Sequence, residues 1–242
     1  MPPMVIWKSD ESAEVTEAHL RHYRQSVPGC GLAIVEATTV SPEGRLAATQ
    51  LGIFADRQLA GLASLAEAIR EAGALPGIQL HHAGGKTNLS KTYGRTPFVP
   101  SLLPGHADPV AELSEDQIHR IVDDFAVGAR RAVEAGFEVL EIHGAHGYLG
   151  AQFLSPKTNR RKDAWGGAPG PGSGLTGRLT FLRRVVEEVR SVVAGRAIVS
   201  CRLGAAESQP TDGTGAPGLT ISEGVQAAGE LVDEIGGEPP FG

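Results

Sequence analysis

The sequence predicts an α/β fold in which a parallel β-sheet is covered by helices, and two observations carry this prediction. Short apolar runs rich in branched residues, typical of buried strands, alternate along the chain with segments of helical periodicity. That order is typical of parallel strands joined by helices. Polar side chains also stand at or just before the ends of predicted strands, namely Glu36, Gln79, His143 and Arg202.

Five apolar runs are predicted as strands. The first of them opens almost at the initiating methionine, and the last is followed by a single helical segment. The predicted strands are residues 3–7, 31–40, 75–82, 137–143 and 196–204.

Helical periodicity fills the segments between these runs. Residues 56–72 carry leucines and an isoleucine on one stripe, and Gly73 follows as a stop. Ser114 begins the next helix with a Ser-x-x-Gln capping box, and Gly136 ends that helix. Two further helices are predicted, through residues 181–189 and from Thr220 onward.

The polar strand ends indicate function more than they fix topology, since a (β/α)8 barrel places ligands and chemistry at that face. A doubly wound sheet would also place sites there, but no Gly-rich phosphate fingerprint follows any strand. We therefore predict an incomplete (β/α)8 TIM barrel with about five to six of its eight β/α units. The predicted organisation is one partial domain (1–242), a long active-face loop (83–113) and a Gly/Pro-rich surface loop (166–176).

Composition and charge exclude several classes of partner. The formal net charge is −6 and no run of Lys or Arg occurs, which argues against nucleic acid or a membrane surface as a partner. No apolar stretch approaches the ~20 residues that span a bilayer, and the N-terminus lacks the layout of a secretory signal. Cys30 and Cys201 provide no disulfide framework, which favours the cytoplasm.

Two histidines three residues apart, His143 and His146, stand where a predicted strand breaks into a loop, and Tyr148 follows them. They could be turn histidines with local hydrogen bonds. They could instead be paired donors to an oxygen that gains negative charge, with Tyr148 as proton donor. A third reading is a Zn or Mn site of a barrel hydrolase, since imidazole and carboxylate suit those metals. The metal reading adds His81, His82 and Asp163.

The segment EIHGAHGYLGAQFLSPKTNRRKDAWGG (141–167) resembles the signature of the old yellow enzyme family, FMN-dependent ene-reductases and NADH:flavin oxidoreductases. It matches the two histidines, Gly-Tyr, Leu-Ser-Pro, Asn, Arg, Asp and Gly-Gly, with Trp165 in place of the usual tyrosine. The resemblance covers nearly the whole chain and implies a (β/α)8 barrel, apparently truncated at both ends. The further matching segments are Pro3-Met4, 34–38, 77–84 and 201–203.

The resemblance implies a flavin site built from strand ends. Arg202 would supply positive charge at the N1/O2 side of FMN, and Gln79 would hydrogen-bond the same ring. Val5 stands where family members usually carry Thr or Cys, which hydrogen-bonds the flavin. Glu36 is expected to be buried with a partner, because an unpaired charge there is costly. The other predicted cofactor contacts are Pro3, Met4 and Ala37.

The resemblance also implies a substrate and a reaction. His143 and His146 would bind the carbonyl oxygen of an α,β-unsaturated substrate, so that hydride from the reduced flavin reaches the β-carbon and Tyr148 protonates the α-carbon. Trp7 would shape the substrate pocket or fill the core. The implied reaction is reduction of an enone or quinone-like molecule by NADH or NADPH through FMN, in one shared site.

The resemblance places the FMN phosphate grip in the last two strand–loop units, beyond this chain. We therefore expect the chain alone to bind FMN weakly, or to need a second copy of itself or a barrel-completing partner. Two alternatives stay open. One is an inert family member with weak or no FMN binding, and the other is the metal-dependent barrel hydrolase.

Overall fold

The computed structural model describes residues 1–104, 108–167, 173–208 and 218–236, and six strands and six α-helices occur among them. The strands are β1 (Leu32–Thr39), β2 (Leu75–His81), β3 (Phe98–Val99), β4 (Ala111–Glu112), β5 (Val139–Gly144) and β6 (Ile198–Leu203). The helices are α1 (Glu17–Ser26), α2 (Leu59–Glu71), α3 (Glu115–Glu134), α4 (Leu149–Leu154), α5 (Ser173–Val193) and α6 (Ile221–Gly236).

Four of the strands form one parallel sheet in the order β1-β2-β5-β6. Helices α2, α3 and α5 connect these strands, and their apolar faces pack into one core with the sheet. This is the alternation of strand and helix that the sequence predicts. Four of the five predicted strands are present, each within two residues of its predicted bounds.

Helix α3 shows how local chemistry sets the element boundaries. The Ser114 hydroxyl accepts a hydrogen bond from the Gln117 backbone N–H, and the Gln117 side chain accepts one from the Ser114 N–H. This reciprocal pair satisfies donors that the first turn leaves free. Gly136 follows the helix with φ 91°, a left-handed conformation that suits glycine at a helix end.

The predicted strand at residues 3–7 is wrong, since no residue from 1 to 10 is in a strand. Only Met1 pairs with β1: its amino group donates to the Leu32 carbonyl, and its own carbonyl accepts from the Ile34 N–H. Two prolines follow and have no backbone N–H to continue a ladder. The segment therefore leaves the sheet edge as irregular chain, and Trp7 has φ 55°.

The two predicted loops contain some regular structure. Strands β3 and β4 pair in parallel within residues 83–113. Helix α5 begins at Ser173, so the last four residues of the predicted 166–176 loop are helical, while 168–172 lie outside the described residues. None of the helices in the described ranges is long and apolar enough to cross a membrane.

The register of the sheet brings the polar strand ends together. Gln79 of β2 lies opposite Glu141 of β5, and His143 of β5 lies opposite Arg202 of β6. Because all four strands run in the same direction, their carboxyl ends meet at one edge of the sheet. The side chains that carry polar chemistry therefore converge at that edge.

Candidate active site

A cavity of about 300 Å³ lies at the carboxyl end of the sheet. It has the size of the smaller ligand sites in proteins, which start at roughly 300 Å³. Nine of the ten predicted site residues line it: Pro3, Met4, Val5, Ala37, Gln79, His143, His146, Tyr148 and Arg202. Pro2 and Leu46 complete the lining, whereas Trp7 is not part of it and is 37% exposed.

His143 is buried and neutral. Burial, together with His146 and Arg202, lowers the pKa of His143 to about 3. Its Nδ1 accepts a hydrogen bond of 3.3 Å from the Ala145 backbone N–H. A neutral ring whose Nδ1 accepts carries its proton on Nε2. His143 therefore offers the cavity a neutral N–H donor.

His146 reaches the cavity through a strained turn. It has φ 57° and Gly147 has φ 71°, so two successive residues are left-handed. Lys86 holds this turn, because its Nζ donates to the His146 carbonyl oxygen at 2.7 Å. A Cβ at Gly147 would lie 3.0 Å from the Lys86 side chain, so glycine also makes room for this contact.

Tyr148 lies beside two imidazoles, that of His143 in the cavity wall and that of buried His81. Its ring centroid is 4.9 Å from that of His143 and 4.5 Å from that of His81, both edge to face. Burial raises the pKa of Tyr148 above its ordinary value. The hydroxyl therefore keeps its proton at neutral pH and is available as a proton donor.

Glu141 joins Gln79 to Arg202 and was not predicted from the sequence. Its Oε1 accepts from Gln79 Nε2 at 2.6 Å and from Arg202 Nε at 2.9 Å, and its Oε2 accepts from Arg202 Nη2 at 3.1 Å. Glu141 is buried and does not line the cavity. The sequence signal that could have identified Glu141 is its position two residues before His143, which puts both side chains on the same face of the strand.

Glu36 has the buried partner that the sequence predicts. Its Oε2 accepts from the Ile6 N–H at 3.0 Å, and its Oε1 lies 3.5 Å from His19 Nε2. Both side chains are completely buried. Burial raises the pKa of Glu36 to about 7 and lowers that of His19 to about 4. The hydrogen bond from the Ile6 N–H to Glu36 fastens the N-terminal segment, which contributes Pro3 to Val5 to the cavity.

The residues predicted as candidate metal ligands do not form a metal site. Asp163 is bound by the Arg161 guanidinium, with Arg161 Nη2 2.6 Å from Asp163 Oδ2. His81 and His82 are buried and accept hydrogen bonds at Nδ1, from the Gln50 side-chain amide and the Gly84 N–H. No group of three or more His, Cys, Asp or Glu among the described residues could hold a metal.

A larger cavity of about 480 Å³ lies between the 83–113 segment and α4, and it contains none of the predicted site residues. Its walls include Lys86, Lys157 and Glu207. We favour the smaller cavity as the reactive site because it combines an apolar wall with a guanidinium, an amide and two imidazoles. That donor set suits a flat heterocycle with one polar edge, which is the shape and chemistry of a flavin ring.

The chain is similar to known flavin oxidoreductases. Residues 1–236 match the family model described as NADH:flavin oxidoreductase / NADH oxidase family. The chain is 41% identical over 204 residues to an NADPH dehydrogenase of Bacillus subtilis, which covers 82% of this chain. A solved old yellow enzyme homologue from Zymomonas mobilis superposes with a TM-score of 0.82 at 29% identity over 97% of this chain. Morphinone reductase superposes at 0.74 with 31% identity over 84% of this chain.

These neighbours confirm the predicted (β/α)8 barrel, of which this chain forms a part. The chain spans less than two thirds of the length of the relatives, covering 57% of the B. subtilis protein, 66% of the Z. mobilis protein and 57% of morphinone reductase.

Proposed function

The chain belongs to the NADH:flavin oxidoreductase / NADH oxidase family, and from this premise we propose that it carries the reactive site of an FMN-dependent oxidoreductase. The proposed reaction is NAD(P)H-driven reduction of activated C=C bonds in α,β-unsaturated carbonyl compounds, including enones and quinone-like molecules. The names of the relatives support it, since they include NADPH dehydrogenases and morphinone reductase.

The single observation that carries the proposal is the shared cavity. Segments far apart in the sequence, from Pro3 to Arg202, contribute to one wall at the carboxyl end of the sheet. Arg202 and Gln79 would hold the polar edge of the FMN ring, and Pro3, Met4 and Ala37 would contact its face. When bound, FMN would accept hydride from NADH or NADPH and pass it to the substrate.

The histidines and the tyrosine would act on the substrate. The Nε2–H of neutral His143, together with the His146 ring, would donate to the carbonyl oxygen and draw charge from the C=C bond. Tyr148, which keeps its proton, would deliver it to the α-carbon. Because His143 is neutral over the physiological range, the site would polarise the substrate by hydrogen bonds and without a charged imidazole at that position.

We also propose that firm retention of FMN needs a further barrel segment, supplied by a second copy or by a barrel-completing partner. Among the described residues β6 is an edge strand of the sheet, and apolar side chains near it are exposed. Ile198 is 61% exposed on β6, and Val225 is 67% exposed on α6. An uncovered strand edge with apolar neighbours is a surface that protein association normally covers.

The alternative is an inert family member, which would have the same fold but would bind FMN weakly or not at all. Absorption spectra of the purified chain before and after addition of FMN, followed by anaerobic titration with NADH and NADPH, separate the two. The proposal predicts a perturbed flavin spectrum and bleaching by a reduced nicotinamide. An unperturbed spectrum at saturating FMN supports the inert form. Both cysteines are free thiols, which fits the cytoplasm that we propose as its location.

A further inference from the structure

We propose that Glu141 is a positioning residue that presents Gln79 and Arg202 to the ligand and sets the net charge of that wall. This inference rests on the proposed function, because it concerns the same cavity. The carboxylate lies beneath the cavity without lining it, so its effect on a ligand acts through the two side chains that it holds.

The geometry fixes both partners at once. Arg202 binds the carboxylate through Nε and Nη2, at 2.9 and 3.1 Å, which is a bidentate pairing. Gln79 donates to the same Oε1 at 2.6 Å, so its amide orientation is set by the carboxylate. Because Gln79 uses its Nε2 to donate to Glu141, its Oε1 is left as an acceptor for an N–H group of a ligand.

The ion pair with Glu141 also determines which guanidinium nitrogen of Arg202 is available to a ligand. Nη1 makes no hydrogen bond to another described residue, since the contacts of this guanidinium to Glu141 use its other two nitrogens. The Arg202 side chain is 35% exposed, whereas that of Glu141 is 10% exposed. The carboxylate therefore engages Nε and Nη2, and Nη1 is the nitrogen of the guanidinium that is left for a ligand in the cavity.

The charge of the wall follows from the same contact. Arg202 and Glu141 together carry no net charge, and His143 beside them is neutral. A bound ring that gains negative charge on reduction would meet a guanidinium already compensated by a carboxylate. Glu141 therefore lowers the preference of the site for the reduced form of the ligand relative to the oxidised form.

The direct test of positioning uses the wild-type chain without FMN. Hydrogen exchange of the arginine Nε–H groups is followed by NMR, with Arg202 assigned by the signal that Arg202→Lys removes. We expect the Arg202 Nε–H to exchange on the order of tenfold or more slowly than that of exposed Arg130, because it is bound to a buried carboxylate. Equal exchange at the two arginines overturns the positioning role.

The test of charge uses Glu141→Gln, with Glu138→Gln on the exposed surface as the matched control. We expect Glu141→Gln to favour binding of reduced over oxidised FMN by about tenfold relative to wild type, a rise of about 30 mV in the two-electron potential. Glu138→Gln should leave the potential unchanged. A Glu141→Gln potential equal to that of Glu138→Gln overturns the charge role.

The two tests separate this inference from the proposed function. If the wild-type chain binds no flavin, the proposed function fails, while the exchange measurement still decides whether Glu141 fixes Arg202. If Glu141→Gln does not fold, the exchange measurement on the wild-type chain still decides the positioning role. The potential is then measured with Glu141→Asp in place of Glu141→Gln. The shorter carboxylate of Glu141→Asp keeps the negative charge, so we expect the wild-type potential. A tenfold change in the relative affinity for reduced and oxidised FMN in Glu141→Asp overturns the charge role.

Discussion

The imidazole rings of His143 and His146 lie edge to face, with their centroids 5.1 Å apart and their planes inclined by 84°. His143 is the penultimate residue of the buried strand β5. His146 has a left-handed backbone conformation, and its carbonyl oxygen is bound by Lys86. Two hydrogen-bond donors are thereby fixed on one wall before any ligand arrives, which is the arrangement that electrostatic catalysis requires.

Replacement of His143 by Ala should remove one donor from the substrate oxygen. In flavin-loaded protein we expect kcat to fall by about 10²-fold, the lower value for loss of one donor at such a site. The control is His119→Gln, whose side chain is half exposed on α3. Turnover of cyclohexenone with NADPH measures the effect, and an unchanged kcat would show that His143 does not polarise the substrate.

Replacement of Tyr148 by Phe should remove the proton donor and keep the ring packing. We expect kcat for enone reduction to fall by about 10²-fold or more while reduction of FMN by NADPH continues, because only the second half-reaction needs this proton. The two half-reactions are measured separately by stopped-flow absorbance. Tyr93→Phe, at an exposed tyrosine outside the cavity, is the control. A Tyr148→Phe variant with wild-type enone reduction contradicts the assignment.

The His19–Glu36 pair predicts opposite pH dependences for two single variants. In His19→Gln, Glu36 with its raised pKa of about 7 should make stability fall by about 3 kcal/mol as the pH rises from 4.5 to 7. In Glu36→Gln, His19 with its lowered pKa of about 4 should make stability fall by about 3 kcal/mol as the pH falls from 6.5 to 4.

In wild type the two slopes oppose each other between pH 4.5 and 6.5, because the pKa of Glu36 is raised and the pKa of His19 is lowered. Urea denaturation of the three proteins at pH 4.5, 5.5 and 7 measures these slopes. Slopes of the same sign in both variants would show that the pair is not coupled to folding in this way.

Two helical glycines should respond in opposite directions to alanine. A Cβ at Gly177 of α5 would overlap the backbone carbonyl of Gly166, whereas a Cβ at Gly229 of α6 would meet nothing within 4 Å. We expect Gly177→Ala to destabilise the chain by about 2–3 kcal/mol through overpacking, and Gly229→Ala to stabilise it by about 0.5–1 kcal/mol. Urea denaturation decides this, and equal effects would exclude the close approach of α5 to the Gly166-Gly167 turn.

Strands β1, β2 and β5 could be predicted from the sequence because strands buried on both faces consist of continuous apolar runs. Strand β6 has a similar apolar run, although it is only partly buried. The same pattern failed at residues 3–7, where composition looks like a strand but Pro2 and Pro3 remove two backbone donors. Helix α1 was not predicted because its ten residues are mostly polar, and only His19 and Tyr23 are buried. Its position is set by tertiary contacts, because it packs on α2 and the Tyr23 hydroxyl accepts a hydrogen bond from the Glu36 N–H of β1.

The cavity residues could be named through the family resemblance, but the contacts between them could not. Glu141 looks like an ordinary polar residue in the run FEVLEIH, and its partners come from β2 and β6, 62 and 61 residues away. Only the register of three parallel strands places one carboxylate between Gln79 and Arg202. The lysine that supports His146, Lys86, lies on a loop whose path no local pattern determines.

Gln79, His143, His146 and Arg202 line one cavity, and we propose that this cavity binds a flat flavin ring. Titration of the isotope-labelled chain with riboflavin, which lacks the phosphate, tests it most directly by NMR of these side-chain N–H groups. We predict that their signals shift together along one binding curve, while the ring signals of half-exposed His119 stay in place. No shift at saturating riboflavin, or shifts that follow separate curves, would contradict the claim.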